Sequence, residues 1–173
     1  MFKEEDYIKL YEELSQHKVL LDGDPVKIGL NSLLVKLAEV QEGKNRISQM
    51  FLDSIKNLDE CEKSYDIANF VYERELEEIL RSRRDIMELK SEKLRTSAAN
   101  AELTTQLNNL LTAEQHLNRA KNYHKSVKIV HDNLESTNAN ISRQLTVIED
   151  MMEIGEIAIV HNVGEEGKQI KLK

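Results

Sequence analysis

Six cations crowd one short stretch, RSRRDIMELKSEKLR: Arg81, Arg83, Arg84, Lys90, Lys93 and Arg95. A second group, Lys121, Lys125 and Lys128, falls at i, i+4 and i+7, on one face of a helical pattern with Arg119 beside it. Cations grouped in this way neutralise the phosphates of a nucleic-acid backbone. A solvated helix end carries the same residue types, so both readings stand at this level. Roughly 40 residues separate the groups, on the order of 55 Å of helix. One chain therefore does not present them as a single patch, whereas a ring or bundle of chains repeats each group around the assembly. Strand binding gains ~1–3 kcal/mol per base stacked on an aromatic platform, and no aromatic residue lies between Tyr72 and Tyr123.

Other chemistries find little material. The chain has no Gly-rich phosphate loop, no cysteine pair and no His-Glu-x-x-His motif. Its acids follow the spacing of solvated helix faces, so no catalytic residue, metal or cofactor is expected. His124 and His131, with Asn138 next in the same register, read either as a metal site or pH switch or as the polar layers that fix register in a coiled coil. Two imidazoles about 10 Å apart on one helix cannot share an ion unaided, which favours polar layers. Cys61, the one cysteine, sits on an apolar stripe with no local His partner and reads as a buried structural thiol.

The chain is acidic overall, with net charge −7, but unevenly so. Residues 81–131 hold 10 Lys or Arg against 5 Asp or Glu, whereas 1–80 hold 10 against 18 and 132–173 hold 4 against 8. Screening confines the repulsion of a polyanion to about 8 Å at physiological salt, so the basic middle can still act locally. No run approaches ~18 apolar residues, so no membrane contact is expected. The N-terminal MFKEEDYIKL is too acidic for a secretory leader, and the single cysteine points to a reducing cytoplasm.

These residues need long elements to carry them. Residues 44–154 contain neither Gly nor Pro, which permits one or two very long helices. A short amphipathic helix is predicted within 1–21, from about Glu4 to Leu21, with Tyr7, Tyr11, Leu14 and Leu21 on one face. Asp24 and Pro25 suit the start of the next helix. From there a heptad register places Leu30, Leu37, Lys44, Phe51, Leu58, Tyr65, Tyr72 and Ile79 in one column and Leu33, Val40, Ile47, Ser54, Cys61, Ala68 and Glu75 in its companion. RSRRD is polar on every face, and Asp85 with Glu88 has capping-box spacing, so a turn is predicted at 82–85.

A third helix follows over about 86–154. Its columns are Leu103, Leu110, Leu117, His124, His131, Asn138, Leu145 and Met152, and Gln106, Ala113, Ala120, Val127, Leu134, Ile141 and Ile148. The fold class predicted is all-α: a long antiparallel helical hairpin over 25–154 in which residue i faces roughly residue 167 − i, Lys44 opposite Tyr123 and His124, and Tyr65 near Glu102. Residues 155–173, with VGEEG and KQIKLK, read as a β-hairpin or extended tail. An isolated hairpin is marginal in water, so it hints at pairing between copies and a homo-oligomer.

The stretch DIMELKSEKLRTSAANAELTTQLNNLL, followed by a helix ending LESTNANISRQLTVIEDMMEIGE, resembles the second half of the UvsY-type recombination mediators of tailed phages. The matching positions are Lys90, Ser91, Ser142, Arg143, Ile148 and Gly155, and the likeness covers about residues 85–156. The resemblance implies a non-enzymatic oligomer of helical hairpins in a host cytoplasm, binding single-stranded DNA and assisting the loading of a RecA-like recombinase. Arg81, Arg83, Arg84, Lys90, Lys93, Arg95, Lys121, Lys125 and Lys128 would then contact phosphates. The alternative is a structural or scaffolding protein, such as a virion or adaptor component, that assembles through its coiled coil and C-terminal hairpin without nucleic acid.

Overall fold

With no Gly or Pro to break them, the central residues form long helices. The computed structural model describes residues 1–17 and 29–153 and places five helices there. These are α1 (Glu4–Gln16), α2 (Leu30–Ser82), α3 (Arg84–Met87), α4 (Glu92–Glu102) and α5 (Thr104–Glu153). Gly29 precedes α2 at φ +82°, a left-handed conformation that an L side chain disfavours, and its carbonyl accepts the Leu33 N–H at 3.2 Å. No helix among the described residues is long and apolar enough to cross a membrane.

The predicted fold class needs one correction. The described residues are all-α and contain no strand. The β-hairpin expected over 155–173 lies outside them, as do Asp24, Pro25 and residues 18–21 of the first predicted helix.

The chain divides into two compact units, Met1–Glu13 with Met50–Lys128, and Leu14–Gln49 with the chain from Ile129 onward. In the first unit α2 runs antiparallel to α5. Ser54 meets His124, Cys61 packs with Leu117 and Ala120, and Glu75 meets Gln106. The centre of this contact is the companion column: Ser54, Cys61, Ala113, Ala120 and Val127 are all buried. Burial of Val127 contributes roughly 1.5–3 kcal/mol, and each alanine methyl about 0.8 kcal/mol. Ser54 is the polar exception, and its hydroxyl is occupied, lying 2.7 Å from the Phe51 carbonyl and 2.9 Å from His124 Nδ1.

In the second unit the same column continues as Leu33, Val40 and Ile47 against Leu134, Ile141 and Ile148, all at most 3% exposed. Gln41 Nε2 donates to Asn138 Oδ1 at 2.9 Å, and Lys44 Nζ pairs with Glu135 at 3.0 Å. Lys44 therefore does not face Tyr123 and His124, and the 167 − i register is overturned.

The cause is the turn, which lies at 88–91 rather than 82–85. Arg83 alone leaves the helical conformation, at φ −96° and ψ 97°, after which α3 adds one more turn and buries Ile86. Ser91, not Asp85, caps the following helix: at φ −136° and ψ 151° its side chain accepts the Leu94 N–H at 3.3 Å. The helix expected over 86–154 is itself divided at Leu103, whose N–H bonds the Ala99 carbonyl at 3.1 Å.

Candidate nucleic-acid interface

The predicted site residues all lie in the first unit, and the structure sorts them into two kinds. Arg83 is a tie within the turn. Its Nε and Nη2 donate to the two oxygens of Asp85 at 3.0 and 2.8 Å, and its Nη1 lies 2.7 Å from Glu102 Oε1. This bidentate fork joins α3 to the end of α4. The Asp85 carboxylate raises the pKa of the Arg83 guanidinium, which in turn holds the Asp85 carboxyl below its usual range. Arg81 is likewise occupied, by Glu77 one turn back at 3.0 Å. It also lines a surface hollow with Arg74, Glu77, Glu78 and Ser82, where two cations and two acids balance.

Arg84, Lys90 and Lys93 are exposed and Arg95 is half-buried. None of the four has a carboxylate partner among the described residues. In sequence they lie in and beside the turn, where Ile86 is buried, Arg83 donates to Glu102, and Ser91 caps α4.

The second group divides differently. Lys121, Lys125 and Lys128 are exposed and without carboxylate partners among the described residues. Arg119 is not beside them. At ~100° per residue Arg119 stands on one flank of the buried Ala120 and Lys121 on the other, and Arg119 Nη2 pairs with Glu4 Oε1 at 3.1 Å. Glu4 belongs to an N-terminal arm that docks on the unit. The Phe2 N–H donates to Asn57 Oδ1 at 2.7 Å, and Asn57 Nδ2 donates to the Tyr7 hydroxyl at 2.8 Å. Phe2, Tyr7 and Tyr11 pack edge-on around Tyr123, with centroids 5.6–5.9 Å away. The Met1 amino group reaches Glu60.

The Tyr7, Tyr11, Leu14 stripe is visible in the sequence; its receptors are not. Asn57 and Tyr123 are 3% and 1% exposed, and both come three residues after a companion-column position. That offset is the one signal that finds them.

His124 forms a polar layer, with Nδ1 against Ser54 and its ring stacked on Phe51 at 5.2 Å. His131 Nδ1 lies 3.4 Å from Asp132. Among the described residues no His, Cys, Asp and Glu group could hold a metal ion. Cys61 is fully buried, and desolvation raises its thiol pKa. No family model matches the chain, and no curated protein or solved structure matches it.

Proposed function

We propose that the protein is a non-enzymatic, homo-oligomeric helical protein of the cytoplasm that binds single-stranded DNA and, like a recombination mediator, assists the loading of a RecA-like recombinase. The observation that carries this reading is the set of unpartnered cations Arg84, Lys90, Lys93 and Arg95 held around one capped turn. Arg81 and Arg83 leave the list of phosphate contacts, because Glu77, Asp85 and Glu102 already occupy them.

Titration of a labelled oligo-dT strand tests it. Affinity should fall with salt at a log-log slope of about 0.7 per phosphate neutralised, close to 3 if all four cations engage. Absence of binding at about 50 mM salt removes the reading. A second reading, assembly without nucleic acid, has its own support in the exposed Leu52, Ile55, Ile67 and Phe70 of α2. It predicts a stable oligomer that ignores the strand.

A further inference from the structure

The helix pair of the first unit has two grooves, one on each side of its buried column. At ~100° per residue, positions three after the column, Asn57 and Tyr123, border one groove. Positions three before it, Phe51, Leu58 and Tyr65 on α2 with Leu110, Leu117 and His124 on α5, border the other. The first groove is filled by the arm, through Phe2 and Tyr7. The second has exposed aliphatic residues on its α2 edge: Leu52 and Ile55, 53% and 43% exposed, come seven residues before Asp59 and Glu62.

The charges along this second groove have opposite signs on its two edges. The same helical phase puts Lys121, Lys125 and Lys128 on the α5 edge, one heptad beyond Glu114, and Asp59, Glu62 and Asp66 on the α2 edge. The lysines, Glu62 and Asp66 have no ion-pair partner among the described residues, and Asp59 pairs only with its neighbour Lys63, one turn on. A surface with one basic edge, one acidic edge and the partly buried Phe51, Leu58, Tyr65 and His124 and the buried Leu117 between them is complementary to itself.

We propose that this groove docks a second copy of the chain, the lysine edge of one copy meeting the Asp59, Glu62, Asp66 edge of the other. Such a contact buries Leu52 and Ile55 and places three cations against three anions. It closes as a dimer if the operator is two-fold and as a ring if the contact runs head to tail. A DNA strand fits this groove less well. It would leave Leu52 and Ile55 in water, meet the like charge of Asp59, Glu62 and Asp66, and find Phe51 already covered by His124. The inference rests on the oligomeric part of the reading above and is independent of its DNA-binding part.

Sedimentation of the full chain without DNA tests it, using the wild type, K121E/K125E/K128E and D59K/E62K/D66K, with circular dichroism to show that each remains helical. The wild type should sediment as at least two chains and shift toward one chain as salt rises. Each triple variant alone should lose that association, and an equimolar mixture of the two should regain it. A monomeric wild type, a lysine variant that assembles like the wild type, or a mixture that stays dissociated overturns the proposal. An oligo-dT titration separates the two claims. If the lysine variant assembles normally but loses the strand, the lysines are phosphate contacts and only the docking inference falls. If no protein binds the strand but the mixture reassembles, the docking surface stands and the DNA reading falls.

Discussion

The two basic segments of the first unit, 81–95 and 119–128, look alike as strings of charge and differ in what their cations hold. Around the turn, Arg83 ties α3 to α4 and Arg81 is paired within α2, while Arg84, Lys90, Lys93 and Arg95 have no partner among the described residues. On α5, Arg119 secures the N-terminal arm through Glu4, while Lys121, Lys125 and Lys128 line the opposite flank without partners. In both segments an arginine serves the fold beside cations that remain available. Charge density along a sequence does not separate these roles; helical phase and the position of the nearest carboxylate do.

The largest effect is expected at Tyr123, which joins the α5 segment to the arm. Tyr123→Ala removes the ring on which Phe2, Tyr7 and Tyr11 converge and should cost about 3–5 kcal/mol, read as a lower urea midpoint. The same variant should free Arg119, so that protease cleavage within residues 1–13 accelerates. Asn57→Ala acts on the same docking with a smaller effect. It strands the Phe2 N–H and the Tyr7 hydroxyl and should cost about 1–3 kcal/mol, again by urea unfolding.

The turn segment should respond locally rather than globally. Arg83→Ala opens the fork to Asp85 and Glu102 and should speed amide exchange at Met87 and Glu88, whose N–H groups bond the carbonyls of Arg83 and Arg84. The urea midpoint should barely move. Acid should reproduce this opening in the wild type. Asp85 titrates below the ordinary carboxylate range because Arg83 favours its charged form. The fork's contribution is therefore complete above about pH 4 and is lost as pH falls through the lower folded value. Exchange at the two amides should rise in that window and not between pH 6 and 8. The smallest effect expected is at Cys61. Buried and with its thiol pKa raised, it should resist alkylation in the native chain and react fully in urea.

Much of the helix packing is legible in the sequence. Leu33, Val40, Ile47, Ser54 and Cys61 repeat every seven residues and are all fully buried, because a long helix pair has one repeating way to bury a stripe. The turn is misread because RSRRD is polar on every face. One extended residue at Arg83 interrupts the helix there, yet the chain returns to the core at Ile86, and a fork between two charged side chains leaves no trace in hydrophobic period. Moving the turn from 82–85 to 88–91 shifts every cross-helix partner, which is why Lys44 meets Glu135. The arm's receptors are equally hidden, since Asn57 and Tyr123 are distant in sequence and one of them is polar.

The most direct test of the central claim compares the two sets of unpartnered cations in one experiment. Labelled oligo-dT is titrated with wild type, R84E/K90E/K93E and K121E/K125E/K128E at several salt concentrations. The turn variant should lose at least tenfold in affinity at about 50 mM salt, with the salt slope reduced by about 2, and the α5 variant should change little. Wild-type affinity in the turn variant, or no strand binding by any of the three proteins, would contradict that claim.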